Sequence, residues 1–561
     1  MIVAVCRSVG LGWEMLEWLS RSVVLVGLMI VVAGCSRSER AVDSGVRDGI
    51  LHINNGSEVP DLDPHVVTGT PEFHIMDALF EGLVEQDPIS REIRPALAES
   101  WEISADLTKY TFTLRSELKW SDGSPLVASD FVSSYERTLN PLLAADYAYL
   151  FEVIVGGSAY SRGETSDFET VGVKALDGQT LEIQLVYPVP YFLSLLTYPC
   201  WRPLPIDVIA SHDGLRRRGS RWTRAGNLVS SGAFQLTRWE QDRVLVVERN
   251  PYYWDAAAVA LNAIHFYPVA SIDTEERMFR SGQLHITNEV PITKIGTYRE
   301  MLDSPLRIDP QLGTYFYRFN VTRAPFDDFR VRKALSLAID REAIVENITR
   351  KGESPAGSFA PPGAGGYEPI SKVGFDAEEA RRLMAEAGYP GGRNFPETEL
   401  LFNTSESHRT IAEAIQQMWK TELGIEIQLY NQDWKVFLDS LDTLDFSVAR
   451  SGWVAVYDDA NQFLEIFTAG NPNNHTGFAS REYDELHATS MRESNVTRRH
   501  ELLRKLDTML VDQAIVAPIY HYTNPYLIDS RVKNWNPGPL DKRLYKYVSL
   551  GGYVGGAVPG S

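Results

Sequence analysis

Apolar and polar residues alternate with period two at several places along the chain, and each such run predicts a half-buried strand. Tyr110, Phe112 and Leu114 alternate with Thr111, Thr113 and Arg115. Leu181, Ile183 and Leu185 repeat the pattern, and Ile425, Ile427 and Leu429 do so again. Ile50–Ile53 reads as a short strand stopped by the turn signal Asn54-Asn55-Gly56-Ser57. Val244–Arg249 reads as a buried strand and Thr314–Phe319 as an aromatic one. A helix is expected from about Pro71 to Leu83, with proline at its first position, and another from Ser129 through Arg137. Asp327 and Asp328 open a helix with Val331, Leu335, Ala338 and Ile339 on its apolar side, where acidic residues suit the dipole. Asp376 to Glu379 resembles a capping box for a helix that Gly388 ends, and residues 407–423 form a helix stopped by Gly424. Strands dominate 95–190 and strand–helix alternation follows, which predicts an α/β chain with one more β-dominated lobe. No repeat of 20–50 residues is present.

One stretch combines this patterning with candidate chemistry. Phe446, Val448 and Arg450 alternate with Ser447 and Ala449. The strand is expected to break at Gly452, to set Trp453 and Tyr457 on a turn with Asp458 and Asp459, and to resume as an amphipathic run. An arginine, an aromatic platform and a carboxylate pair are what a site for a zwitterionic small molecule needs. The alternative is a strand end with a satisfied tryptophan and a solvated aspartate pair.

A length of 561 residues implies two to four domains. The net charge of −20 argues against nucleic acid as a partner, since neutralising phosphate needs a basic face. Ser22 to Val32 is an apolar run after Arg21, and Ala33-Gly34-Cys35 follows, as in a signal peptide with small residues at its cleavage point. The run is too short for a spanning helix. Residues 1–34 are therefore expected to be a leader; a start at Met15 would give it a conventional opening. Val32-Ala33-Gly34-Cys35 also looks like a lipobox, in which Cys35 is acylated and becomes the mature N-terminus. Residues 35–49 would then be the lipidated cysteine and a flexible tether, because Ser36 to Asp48 is poor in apolar residues. Only Cys6, Cys35 and Cys200 occur, so the mature chain has no partner for Cys200, which reads as buried and structural.

No catalytic motif is found: no nucleophile elbow, phosphate-binding loop, zinc-protease helix or Cys-x-x-Cys. His52, His65 and His74 lack zinc-ligand spacing, so neither metal nor cofactor is expected. The chain is not expected to be an enzyme. Aromatic residues make up 11% of it, many at turns and strand ends, where they can line a pocket or complete a core.

Ordered motifs then carry a resemblance. Asn54-Asn55-Gly56-Ser57-Glu58, Leu62-Asp63-Pro64-His65, Leu79 to Leu83, Pro95 to Trp101, Lys119 to Gly123, Asn250 to Trp254, Ala324 to Arg332, Ala338 to Arg341 and Asn431 to Trp434 come in sequence behind the lipobox. From about Ile50 onward the chain resembles the OppA/DppA-like solute-binding lipoproteins of oligopeptide ABC importers. The resemblance implies a periplasmic-binding-protein-like α/β fold of type II, cluster C. Lobe I would hold residues 50–80, 205–312 and 523–561, lobe II residues 81–204, and lobe III residues 313–522. Crossings near Gly313 and Tyr522 would be the hinges. A peptide would add to Thr68-Gly69-Thr70 like a strand, with its side chains in hydrated pockets. Trp434 and Trp453 match wall positions, Arg450 a pocket-side base, His408 a position near the peptide carboxylate, and Tyr147 and Tyr520 looser matches. The implied partners are a peptide-like ligand, ABC permease and ATPase subunits, and a membrane reached through the lipid anchor. The protein would be exported, monomeric and non-catalytic; a ligand-sensing receptor on the same fold is the alternative.

One motif departs from the family. Peptide-binding relatives carry Gly-Trp-x-x-Asp, whose aspartate pairs the ligand's α-ammonium, and here Gly452-Trp453-Val454-Ala455 leads to Val456. Leu441 also stands where some relatives have a basic residue. Asp458, Asp459 or Glu289 could replace the lost carboxylate, the ligand could lack a free amine, or the solute could be something other than a peptide.

Overall fold

The computed structural model describes residues 39–551, so the leader and Cys35 lie outside the described residues. Three sheets, each with its own apolar core, organise the chain. The first runs in the order Ile50–Asn54, Ala263–Tyr267, Val244–Arg249, Phe234–Glu240, with the first pair parallel and the rest antiparallel. Its core gathers Leu51, Ile53, Val247, Ile264 and Phe266 with Tyr545 from the C-terminal tail.

The second sheet is antiparallel, in the order Ala98–Ile103, Lys109–Leu114, Thr180–Gln184, Val173–Ala175. Burial alternates along Lys109–Leu114 as the sequence alternates, with Tyr110, Phe112 and Leu114 inward. They pack against Phe131 and Tyr135 of helix Ala128–Leu139 and against Trp201, and Cys200 is fully buried beside them.

The third sheet has six strands in the order Ser354–Pro355, Val516–Leu527, Leu306–Phe319, Val448–Val454, Glu399–Asn403, Gln428–Gln432. Its two faces carry different cores. Tyr315, Tyr317, Val448 and Tyr520 meet helices Phe329–Leu337 and Glu406–Leu423 on one side, while Phe316, Phe359, Phe463 and Leu503 pack on the other. Asp328 and Asp376 cap their helices, and Gly424, at φ +70°, ends Glu406–Leu423.

The structure corrects four expectations. Ala41–Asp48 of the supposed tether is a helix, because Val42 and Gly45 are buried against the first body: a Cβ on Gly45 would stand 2.5 Å from the Ile50 carbonyl. The helix expected to reach Leu83 is Thr70–Leu79, and Phe80 is extended where Gly232 lies against the Leu79 carbonyl. The strand expected at 425–429 is Gln428–Gln432, and Ile425 and Ile427 are core residues of the preceding loop. The strand expected to break at Gly452 continues to Val454.

Buried ion pairs join the bodies. Arg137 makes a bidentate pair with Asp63, with Oδ2 at 2.5 Å and Oδ1 at 3.0 Å, and both side chains are almost wholly buried. Removing one partner of such a pair strands a charge in a poorly solvating interior. Asp63→Ala should therefore cost about 3–5 kcal/mol in a urea unfolding titration.

The helix Ala41–Asp48 also depends on pH. The His285 ring accepts the His52 amide on Nδ1 at 3.0 Å and gives Nε2–H to the Val42 carbonyl at 3.2 Å, an arrangement that only the neutral ring supports. Burial, reinforced by Arg531 and opposed by Asp529, holds this histidine down at about 4. The undocked chain takes up a proton near pH 6.5 and the docked one does not, so docking is strongest above 6.5 and weakens as pH falls toward 4. Hydrogen exchange of residues 42–48, corrected for intrinsic rates, should quicken at pH 4 relative to pH 7.

Candidate functional site

Two long antiparallel strands, Leu306–Phe319 and Val516–Leu527, connect the first body with the third and pair with each other over most of their length. Their register breaks between Pro310 and Thr314. In that break the Leu312 amide donates to the Pro539 carbonyl at 2.8 Å, and the Leu312 carbonyl accepts the Ala455 amide at 2.7 Å. The irregular segment thus ties the C-terminal tail to the end of strand Val448–Val454. Gly313 is required there: a Cβ would lie 2.8 Å from the Tyr522 ring and 3.0 Å from the Trp453 carbonyl.

A cavity of about 230 Å³ opens at this junction. The first body contributes Thr68, Thr70, Phe73, His74 and Asp77, and its tail Leu540, Asp541 and Lys542. The second contributes Tyr147, Tyr198, Pro199 and Arg202, and the third Gln311 and Val454 to Val456. Thr68 leaves its backbone amide and carbonyl without a hydrogen bond among the described residues, whereas the Gly69 carbonyl accepts from Phe73 and Thr70 already begins a helix. The Glu72 carboxylate folds over Gly69 and occupies the space a Cβ would take.

Polar groups in the wall are mostly committed. Asp77 accepts from Arg202 at 2.6 Å and from the Arg543 amide at 2.9 Å. Asp541 accepts from His74 at 2.8 Å, and Arg543 lies beside it at 3.4 Å. His74 is held neutral chiefly by burial, with Arg543 adding to it, so it donates Nε2–H to Asp541. Lys542 donates to the Thr197 hydroxyl and reaches the Thr197 carbonyl at 3.5 Å.

Of the residues expected in the site, Thr68, Thr70, Tyr147 and Val456 line this cavity, with Gly69 between the first two. Val456 gives its amide to Gln462 and packs its side chain against the core of the second body. Arg450, His408 and Tyr520 form a neighbouring cluster. The Arg450 guanidinium lies 4.7 Å over the Tyr315 ring and reaches Asn403 at 3.3 Å and Tyr522 at 3.4 Å. Tyr520 stacks on Tyr315 at 4.8 Å and is buried behind it, so it supports the wall. His408 faces the Tyr315 hydroxyl at 3.3 Å, and burial, with Arg450 and Lys351, lowers it to about 3 and keeps it neutral. Gly452 lies between Arg450 and Val454 on this face because the Tyr522 hydroxyl would stand 2.5 Å from any Cβ there.

The other expected residues lie outside the lining of this cavity. Trp453 points to the opposite face of the strand from Arg450 and packs with the core around Phe316 and Phe359. Trp434 is 57% exposed, stacks on Phe437, and does not line the cavity. Leu441 belongs to a core with Phe437 and Phe446. Asp458 is taken by Arg91, with Nε at 2.8 Å, and by Gln86 and the Gly365 amide. Asp459 is taken by Arg499, at 2.7 and 2.8 Å. Both carboxylates therefore serve interlobe and intralobe ion pairs, and Glu289 does not line the cavity either. Sequence reasoning missed Phe73, Asp77, Tyr198, Arg202, Gln311 and Leu540 to Lys542. The one visible signal was the charge density of Asp541-Lys542-Arg543 in the C-terminal tail.

Comparison with known proteins places this geometry. The family described as bacterial extracellular solute-binding proteins, family 5 Middle, matches residues 92–475. The periplasmic oligopeptide-binding protein OppA of Salmonella typhimurium is 37% identical over 547 residues, covering 94% of this chain and 98% of the relative. The "Probable deoxycholate-binding periplasmic protein YgiS" of Escherichia coli is 33% identical, over 88% of this chain and 93% of its own. The solved structure of Haemophilus influenzae OppA in complex with RPPGFSPFR superimposes with a TM-score of 0.76 at 31% identity, covering 90% of this chain and 99% of that one.

Since Asp458 is spent on Arg91, neutralising it should not remove an anchor for a ligand amine. Asp458→Asn should weaken free and N-acetylated peptides by the same factor in calorimetry. It should also raise the radius of gyration in small-angle scattering, through loss of the contact between the second and third bodies.

Proposed function

Because the chain belongs to the bacterial extracellular solute-binding proteins of family 5, we propose that it captures peptides or peptide-like solutes outside the cytoplasm and delivers them, without catalysis, to a membrane permease driven by ATPase subunits. The observation that carries this reading is the cavity at the meeting point of three bodies, lined by aromatic rings, an unpaired backbone segment and a few charged groups. Such a junction buries a small ligand most fully when the bodies close on it. The two crossing strands, with their break at Gln311 to Gly313 beside Tyr522, are the hinge about which closure occurs. The free amide and carbonyl of Thr68 offer a ligand backbone the pairing of an added strand.

The sequence Val32-Ala33-Gly34-Cys35 supports export with Cys35 as the lipid-bearing N-terminus, which would hold a monomer at the membrane beside its permease. A second reading, a ligand without a free α-amine, is favoured by Val456, because an ammonium buried against a valine would forfeit its partner at a cost of several kcal/mol. The relative named for deoxycholate supports the wider point that this family serves solutes other than peptides. Native mass spectrometry of the soluble chain, followed by release of what co-purifies, should yield short peptides or amine-blocked peptide-like acids. Recovery of only sugars or metal chelates would overturn the proposal.

A further inference from the structure

Asp77, Arg202, Asp541 and Lys542 are the charged side chains that line the cavity, and among the described residues Lys542 alone of them lacks an ionic partner. Asp77 is held by Arg202, and Asp541 by His74 and Arg543. Lys542 has no carboxylate within ion-pair distance among the described residues; its neighbours are the hydroxyl and carbonyl of Thr197. An ammonium has three donors, so at least one is left for whatever enters. Lys542 keeps part of its surface while sitting deep between the bodies, as expected of a group that faces an internal cavity. The same wall carries Val456, and the Tyr198 hydroxyl, 5% exposed, lacks a well-formed hydrogen bond. Glu72, the other acid nearby, folds onto Gly69 and does not line the cavity. Farther along the same strand face, Arg450 likewise meets only neutral groups among the described residues, Asn403, Tyr315 and Tyr522.

We propose that the Lys542 ammonium is an anion receptor, so that the group entering the cavity beside Val456 is a carboxylate of a peptide-like solute and not the α-ammonium of a free peptide. The inference rests on the reading that this cavity takes peptides or peptide-like solutes. An ammonium entering here would meet a cation and a valine, with both wall carboxylates already neutralised. A carboxylate would meet Lys542 and the Tyr198 hydroxyl between the bodies, where a charge-assisted hydrogen bond is stronger than in bulk water. Burial pulls Lys542 down to about 8, with Asp77 opposing, and an arriving anion would raise it again.

The test is calorimetry on the mature chain, kept soluble by Cys35→Ser, with three probes: trialanine, N-acetyl-trialanine and N-succinyl-trialanine. The succinylated probe should bind roughly ten-fold tighter than trialanine, as one well-placed charge contact predicts. Lys542→Gln and Lys542→Met should each abolish that advantage, bringing the succinylated probe to within about two-fold of trialanine. Val456→Asp should reverse the order in favour of trialanine. Thermal melts of each variant identify any loss of fold, and the second lysine variant guards against a misfolded first. Tightest binding of trialanine by the wild type, or an unchanged succinyl-trialanine affinity in both lysine variants, would overturn the anion receptor while leaving peptide capture intact. Failure of all three probes to bind would overturn peptide capture and the inference with it.

Discussion

A charge taken out of water must find its opposite, and this requirement shapes the junction of the three bodies. Asp63 meets Arg137, Asp77 meets Arg202, Glu81 and Glu85 share Lys546, and Asp458 meets Arg91. Each pair joins segments far apart in the chain, and several link different bodies. Such pairs add little net stability over an apolar contact, but losing one partner is expensive, so they specify how the bodies meet. The cavity lies where these pairings leave a gap.

The same requirement decides which groups remain for a ligand. Carboxylates near the cavity are consumed by guanidinium, imidazole or backbone donors of the protein itself. Among the described residues, the hydrogen-bond partners of two cations, Lys542 and Arg450, are neutral groups. A binding protein that closes over its solute exposes it to the unbalanced part of its own electrostatics, and here that part is positive. The two long strands are paired on both sides of their register break, and in the break Leu312 ties the C-terminal tail to the end of strand Val448–Val454.

Much of the local structure was legible because it depends on neighbours in sequence. The alternation at Tyr110–Leu114 gave a strand with the expected face inward, and Asp328, Asp376 and Gly424 bound their helices where caps belong. Misreadings arose where a distant residue intervened. Gly452 looked like a breaker, yet the strand continues through it because it pairs with Leu306–Phe319, and the glycine leaves room for the Tyr522 hydroxyl. Ala41–Asp48 looked like a tether, yet a buried histidine and Val42 dock it. Asp458 and Asp459 looked like a ligand anchor because nothing near them in sequence reveals Arg91 or Arg499.

The sequence by itself determined the elements, the family and the position of a valine where relatives carry a carboxylate, since periodicity, caps and ordered motifs are local records. Only the tertiary structure decided which residues share a cavity and which charges stay unpaired there. Thr68, Tyr198, Val456 and Lys542 come from four segments far apart in the chain. Whether a buried charge is free for a ligand depends on what the rest of the fold has brought within bonding distance, and no stretch of sequence contains that information.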